Sequence, residues 1–205
     1  MHQEVLTKKA KELFPLFGQF REFYLAGGTA LALELGHRVS VDFDFFSKKQ
    51  IDSDFLPVLE KYFKGRQVFP IVNNADELTV SIDAVKTTFL FYPFPLLFHL
   101  VDFGGMKLAS AKEVAAMKAY AIGRRGSLKD YVDIYFILFQ KIDTINGIID
   151  NAEKKYGEAF NARLFLEQLV YFKDVAGSEL KFLRQKVTPS DLESFFQTEI
   201  KKLKL

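Results

Sequence analysis

Residues 27–46 read GGTALALELGHRVSVDFDFF, and this stretch decides the fold. Its pattern predicts a Gly-Gly-Thr turn, then a short helix that Gly36 can end in the left-handed conformation. Apolar and polar residues alternate over 39–46, which indicates a strand. A period of two places Asp42 and Asp44 on the same face of that strand. The helix and the Gly36 turn let the strand return beside the Gly-Gly-Thr turn.

The turn and the two aspartates suit groups of opposite charge. Gly27 and Gly28 let the backbone approach an anion, and the N–H groups of the following helix favour a phosphate. Thr29 can cap that helix or add a hydroxyl donor. The aspartates have Cα atoms roughly 6.5 Å apart, so both carboxylates can reach a shared magnesium site. Read separately, the turn could be a plain tight turn and Asp42 and Asp44 a solvated strand face; together they predict a site for a triphosphate and its metal ions.

The composition is that of a globular protein. The chain has 205 residues, of which 49% are hydrophobic and 26% charged, and its 23 phenylalanines predict a core rich in aromatic rings. A net charge of +2 predicts that any contact with nucleic acid comes from a local basic patch. The absence of cysteine excludes disulfides and thiolate metal sites. We expect no signal peptide and no membrane span, and hence a cytoplasmic protein.

The pattern along the chain predicts two parts and an α+β fold. Residues 1–105 are expected to form a mixed sheet flanked by helices, and residues 106–205 a helical domain that completes the cleft. Predicted strands in the first part are 22–26, 39–46, 78–82, 85–92 and 96–103, with a hairpin turn at Asp83-Ala84. Two predicted helices of the second part begin at Ser110 and Ser127, each with a capping box. Three more are predicted over 144–156, 161–172 and 190–203.

The helical part carries a second polar constellation. Lys118 has Val114 and Ile122 four residues away on either side, a semi-apolar helix face where an amine either extends to solvent or meets an anion. The segment RRGSLKDYVD over 124–133 follows, and Lys129 and Asp133 could be merely an i,i+4 surface pair. Asp130 can simply stabilise the first turn of its helix. We expect His37 to be structural, and His99 to lie in the core.

These motifs resemble the AbiEii/AbiGii toxin branch of the nucleotidyltransferase superfamily. The branch has Gly-Gly-Ser/Thr, about a dozen residues, then Asp-x-Asp, with an intervening His-Arg-x-Ser that matches His37, Arg38 and Ser40. A later lysine followed by Arg-x-x-x-Lys/Arg-Asp-x-x-Asp matches 118–133. The resemblance implies a DNA-polymerase-β-like fold, an NTP substrate with Mg²⁺ or Mn²⁺, and nucleotidyl transfer to a hydroxyl of RNA, such as a tRNA end, or of protein. It also implies a toxin, with a possible cognate antitoxin.

The resemblance assigns roles to particular residues. Asp42, Asp44, Lys118 and Asp133 are implied to be catalytic, with Asp42 and Asp44 as the metal ligands. The implied nucleotide-binding residues are Gly27, Gly28, Thr29, Arg38, Ser40, Arg125 and Lys129.

The chain departs from the pattern at the third carboxylate of such enzymes. The strand over 85–92 carries Thr87 and Thr88 where an acid is expected, and Asp83 reads as a turn residue. Near the C-terminus the family's Tyr-Phe-Asp-Asp-Ala-Glu appears as YFKDVA, which retains Asp174. The missing acid leaves open an alternative function, a catalytically inactive nucleotide-binding or protein-interaction module of the same fold.

Overall fold

The computed structural model describes residues 1–171 and 179–203, except the side chain of Arg125. Across these residues the chain forms one seven-stranded mixed sheet with helices around it, which confirms the α+β class. The strands are β1 (Tyr24–Leu25), β2 (Phe43–Ser47), β3 (Val68–Asn73), β4 (Glu77–Ile82), β5 (Val85–Phe91), β6 (Val101–Phe103) and β7 (Met106–Leu108). The helices are α1 (Lys8–Leu13), α2 (Gly27–Leu35), α3 (Phe55–Tyr62), α4 (Ala111–Arg125), α5 (Leu128–Phe139), α6 (Ile145–Tyr156), α7 (Ala162–Val170) and α8 (Pro189–Lys201).

The sheet has the order β3-β4-β5-β2-β1-β7-β6. β2 runs parallel to β5 and β1 parallel to β7, whereas the remaining neighbours are antiparallel. Phe43 and Phe45 of β2 and Phe89 of β5 point to one face, where their rings surround that of Phe17 at centroid distances of 4.8 to 6.4 Å. This aromatic core fixes the register of β2 and turns Asp44 to the opposite face.

The strand that carries the aspartates begins later than predicted. Regular pairing starts at Phe43. Val41, which the alternation places on the same face as Phe43, is 53% exposed. The preceding residues are extended but pair elsewhere: the Val39 N–H donates to the Lys181 carbonyl at 2.8 Å, and Ser40 forms an isolated bridge with Leu6. These long-range partners, which a local alternation cannot reveal, replace the predicted ladder.

The predicted hairpin is confirmed, including its turn. Asp83 and Ala84 both have positive φ, +49° and +68°, as a two-residue hairpin turn requires even without glycine. The Asp83 carboxylate accepts from Arg66 Nη1 at 2.7 Å and from the Gln67 N–H at 3.0 Å. These hydrogen bonds lower the pKa of Asp83 and confirm it as a turn residue.

Two predictions around the sheet are wrong. The strand expected over 96–103 is confined to β6, because the Leu97 and Phe98 N–H groups donate to Glu113 Oε2 instead of to a neighbouring strand. His99, expected in the core, is exposed for the same reason. β3 and β7 were not predicted; β3 is an edge strand interrupted at Pro70, so it lacks clear alternation.

The helical half begins almost as predicted. Ser110 and Ser127 precede α4 and α5, and Asp130 closes the second cap by accepting from the Ser127 N–H at 2.9 Å. The first cap is not a capping box, since the Glu113 carboxylate turns away from Ser110. α8 starts at the predicted Thr188-Pro189 cap.

In the part of the chain that the structure describes, the longest helix is α4, with 15 residues. No helix there is long and apolar enough to cross a lipid bilayer, which takes about 20 residues.

Candidate active site

A cleft of about 610 Å³ opens between the start of α2, the start of β2 and the helices α4 and α5. It collects residues that are up to 154 positions apart, from Gly27 to Lys181. Most of the predicted site residues line it: Gly27, Gly28, Thr29, Arg38, Ser40, Asp42, Asp44, Lys118 and Lys129.

Asp42 and Asp44 are the two strand carboxylates of this cleft, which Asp130 and Glu179 also line. Asp44 is fixed through its backbone, since the Ala26 N–H donates to its carbonyl at 2.8 Å. Burial raises the pKa of Asp44; Lys118 opposes this rise and Asp42 adds to it. Two adjacent carboxylates of which one resists ionisation form a site that a cation would stabilise. Their hard oxygen donors suit Mg²⁺, which is commonly held by one or two carboxylates plus phosphates. Among the described residues, no group of three or more His, Cys, Asp or Glu is arranged so that it could hold a metal ion.

Thr29 supports the strand rather than capping the helix. The N-cap of α2 is Ala26, and Thr29 is 2% exposed. Its Oγ1 lies 2.7 Å from Ser40 Oγ and also donates to the Asp42 carbonyl. Thr29 and Ser40 therefore hold Asp42 against the start of α2.

The two glycines make room for functional side chains as well as for a ligand. A Cβ on Gly27, whose φ is +61°, would lie 2.7 Å from Asp44 Oδ2, and one on Gly28 would lie 2.4 Å from Arg38 Nη2. Neither position tolerates a larger residue without displacing a polar group of the site. The Gly-Gly sequence thus lets the carboxylate and the guanidinium approach the N-terminus of α2.

Asp133 of α5 is the centre of a buried ionic cluster behind the cleft. It is 0% exposed, and it accepts from Arg38 Nε at 2.8 Å, Arg38 Nη2 at 2.9 Å and His37 Nε2 at 2.9 Å. Lys118 Nζ lies 3.0 Å from Asp133 Oδ2. Burial alone would raise the pKa of Asp133, but Arg38 and Lys118 outweigh it and hold this pKa well below the usual range.

Asp133, predicted to be catalytic, does not line the cleft, and its oxygens are engaged by protein donors. This location suits a positioning role through Arg38 and Lys118, and a direct part in catalysis stays a prediction. The surface pair with Lys129 does not form, because Lys129 is exposed and Asp133 is enclosed. Burial lowers the pKa of His37, which stays neutral and donates to Asp133, as expected for a structural histidine.

Lys118 reaches the cleft from this cluster. Its Nζ lies 2.6 Å from Asp130 Oδ1 and 3.0 Å from Asp133 Oδ2. Burial would lower the pKa of Lys118, but Asp133 and Asp130 more than compensate and raise it. The ammonium group donates to Asp130 and forms an ion pair with Asp133, and the side chain also lines the cleft, so its charge can act on a ligand there. Asp130 therefore serves both the α5 cap and Lys118.

We expect Gly28→Ala to lower the free energy of unfolding by about 1–3 kcal/mol, because the new methyl group displaces Arg38 from Asp133. Gly123→Ala is the matched control, since Gly123 lies in α4 with open space around it. That substitution should stabilise the chain by about 0.5–1 kcal/mol through helix propensity. Urea unfolding followed by circular dichroism measures both; equal effects would contradict the crowding at Gly28.

Some of the site was not predicted. Lys86 of β5 and Lys181 also line the cleft, and both are exposed. Lys86 could have been found, since it lies two residues before Thr88 and hence on the same strand face. Lys181 could not have been found, because it reaches the cleft through a backbone hydrogen bond with Val39, which lies 142 residues earlier in the sequence. The Arg125 side chain and Asp174 lie outside the described part of the chain.

The strand register separates the two threonines of β5. Thr88 lies directly opposite Asp44 of β2, on the face that carries the aspartates. Thr87 points to the other face and is fully buried.

The fold recurs in solved structures. The nucleotidyltransferase toxin MenT4 of Mycobacterium tuberculosis H37Rv is similar with a TM-score of 0.62 and 17% identity over 94% of this chain and 81% of that one. A candidate nucleotidyltransferase from H. pylori gives a TM-score of 0.56 and 16% identity over 96% of both chains. At such identities the likeness shows a shared fold alone.

The family follows from the sequence comparison. The profile described as "Nucleotidyl transferase AbiEii toxin, Type IV TA system" matches residues 11–204. The chain therefore belongs to the AbiEii family of nucleotidyltransferase toxins. An uncharacterized protein of Aquifex aeolicus strain VF5 is 31% identical over 198 residues, covering 95% of this chain and 94% of that protein.

Proposed function

We propose that the protein transfers a nucleoside monophosphate from an NTP to a hydroxyl group of RNA, with a tRNA 3′ end as the first candidate, or of a protein. It would act in the cytoplasm as a toxin that a cognate antitoxin restrains. The observation that carries the proposal is the meeting, in one cleft, of the N-terminus of α2 with Asp42, Asp44 and the ammonium group of Lys118.

Each element has a separate task in the proposed reaction. The N–H groups at Gly27 and Gly28 favour phosphate oxygens, and Lys118 with the exposed Lys129 adds positive charge. Asp42 and Asp44 would hold Mg²⁺ or Mn²⁺, which, when bound, neutralises phosphate charge and orients the triphosphate. The acceptor oxygen forms a bond to the α-phosphorus, while the bond from that phosphorus to the oxygen shared with the β-phosphate breaks. Pyrophosphate leaves, and the hydroxyl proton passes to solvent.

The alternative is an inactive module that binds a nucleotide or a protein. Thr88 favours it, because a hydroxyl opposite Asp44 lacks the negative charge of a carboxylate and does not act as a base at neutral pH. NTP binding with Mg²⁺ but without transfer to any acceptor would support this alternative.

We expect Asp44→Asn to lower the rate of label transfer from NTPs to total tRNA by roughly 100-fold or more, which corresponds to about 3 kcal/mol. The reason is the loss of one of the two carboxylates that hold the metal and phosphates. Transfer of radiolabel and release of pyrophosphate, rather than of nucleoside diphosphate, are measured for a panel of labelled NTPs.

Asp102→Asn is the control, since Asp102 is exposed on β6 and pairs with the exposed Lys107. It should leave the rate unchanged. Full transfer by the Asp44 variant would exclude this cleft as the site of the reaction.

A further inference from the structure

The cleft continues into a second lobe that its phosphate-binding features do not explain. This lobe has a volume of about 450 Å³ and shares six residues with the first: Gly27, Asp44, Lys86, Lys118, Ala121 and Asp130. Beyond these shared residues its walls are mostly apolar and aromatic, with one carboxylate and one threonine hydroxyl: Phe46, Glu77, Thr88, Leu90, Tyr92, Val114, Met117 and Tyr120. Such a lobe, open to the phosphate site and flanked by rings, suits a flat heterocycle better than a charged group.

The strand register places two rows of side chains along the lobe. Asp44 lies opposite Thr88, and the next row on the same face consists of Phe46, Leu90 and Glu77. These rows are about 7 Å apart. Lys86 lies two residues from Thr88 in the other direction, toward the first lobe. A nucleotide with its phosphates near Asp44 and Lys86 therefore directs its base toward Glu77.

An aromatic cluster borders that position. The Tyr92 ring packs on Phe46 with a centroid distance of 4.7 Å, and its hydroxyl meets that of Tyr156. The Tyr120 ring is stacked on the same Tyr156 at 4.1 Å, and the Arg124 guanidinium lies 4.4 Å from its centroid. These contacts hold the rings in place, so the lobe offers a preformed apolar border to a base.

Glu77 is held with one oxygen free. Thr79 Oγ1 donates to Glu77 Oε1 at 2.6 Å and lies 3.1 Å from Thr88 Oγ1. Over residues 1–171 and 179–203, Glu77 Oε2 has no hydrogen-bond partner, and Glu77 forms no ion pair. A carboxylate at the end of an apolar lobe repels phosphate and accepts hydrogen bonds from amino groups.

We propose that the second lobe binds a nucleobase and that Glu77 selects bases which carry an exocyclic amino group. Carboxylates accept from the cytosine amino group, whereas uracil presents a carbonyl oxygen at the same place. The inference rests on the proposed nucleotidyl transfer and adds a substrate preference to it. The base can belong to the incoming NTP or to the 3′-terminal nucleotide of the acceptor.

The test is the ratio of kcat/KM for CTP, ATP and GTP to that for UTP, in the wild type and in Glu77→Gln. We expect the wild type to favour at least one amino-bearing base over UTP by about tenfold or more. The glutamine amide can also donate to a carbonyl, so the ratio should fall at least fivefold, roughly, toward unity. Thr79→Val, which releases Glu77 Oε1, should lower the ratio by a smaller factor.

Asp76→Asn is the matched control, because Asp76 is the neighbouring carboxylate but is exposed and outside the lobe. It should leave the ratio unchanged. A second series keeps the NTP constant and varies the 3′-terminal base of an RNA acceptor. A Glu77→Gln effect confined to this series assigns the lobe to the acceptor and retains the inference.

A wild-type preference for uracil in both series, a uniform loss for all bases, or no change in either series would overturn the inference while leaving nucleotidyl transfer intact. If the wild type transfers no nucleotide, the proposed function fails instead. Calorimetric affinities of the four NTPs then replace the rates. An unchanged pattern in Glu77→Gln, or no binding at all, overturns the base selection.

Discussion

Replacement of Asp133 by asparagine is expected to lower the free energy of unfolding by about 3–5 kcal/mol. The side chain keeps its shape but loses its charge, so Arg38 and Lys118 remain buried beside a neutral amide. Breaking a buried ion cluster by removing one partner costs more than the cluster contributes, because the remaining charges are left uncompensated. Urea unfolding followed by circular dichroism measures the loss.

The same substitution should change how stability depends on pH. The pKa of Asp133 is lowered on folding, so its stabilisation is complete above the pKa of the unfolded chain, about 3.9, and is lost as the pH falls through the folded value. The difference between wild type and variant should therefore be constant from pH 7 to about 5 and should narrow below pH 4. A difference that persists undiminished at pH 2 would show that the charge of Asp133 is not its cause.

Transfer activity should fall as well, by at least about tenfold, although Asp133 does not reach the cleft. Lys118 and Arg38 take their positions from it, and a misplaced ammonium loses its contact with phosphate. Asp150→Asn is the control on stability and rate, since Asp150 is exposed on α6. A variant that unfolds more easily yet transfers at the wild-type rate below its unfolding transition would separate Asp133 from the reaction.

The first half of the candidate site could be predicted to come together because it is local. Gly27, Gly28, Asp42 and Asp44 lie within eighteen residues, and the intervening helix and turn were readable from apolar spacing and Gly36. The role of Asp133 was not predictable by the same means. It depends on Arg38, 95 residues earlier, and on the burial of both, which no local pattern contains.

The errors in the fold share a physical cause. The strand over 39–46 was predicted too long because alternation indicates an extended chain but not its partner, and here Lys181 and Val5 supply partners outside the ladder. The strand predicted over 96–103 does not form at its start, because Glu113 accepts hydrogen bonds from the N–H groups there. In both regions a long-range hydrogen bond overrides a correct local preference.

A second large effect is expected from the ion pair that fastens α4 to α6. Glu113 and Lys155 are 1% and 3% exposed, with Nζ 2.5 Å from Oε1. Lys155 also donates to the Pro95 carbonyl, and Glu113 Oε2 accepts from the Leu97 and Phe98 N–H groups. One buried cluster therefore secures two helices and the loop that follows Tyr92.

We expect Glu113→Leu to lower the free energy of unfolding by about 3–5 kcal/mol and Lys155→Met by less, about 2 kcal/mol. The order follows from the partners that remain. Without Glu113, the ammonium group and two N–H groups lose their acceptor in the core. Without Lys155, the carboxylate still accepts from Leu97 and Phe98.

Urea midpoints of the two variants and of the double variant measure this order. The double variant should lose less than the sum of the single losses, because it leaves no unpaired charge. Glu167→Gln serves as control, since its pair with Arg163 is on the surface and should leave the midpoint unchanged. A greater loss from Lys155→Met than from Glu113→Leu would mean that the lysine, through Pro95 and the rings of Tyr92 and Tyr156, holds the loop more firmly than the carboxylate does.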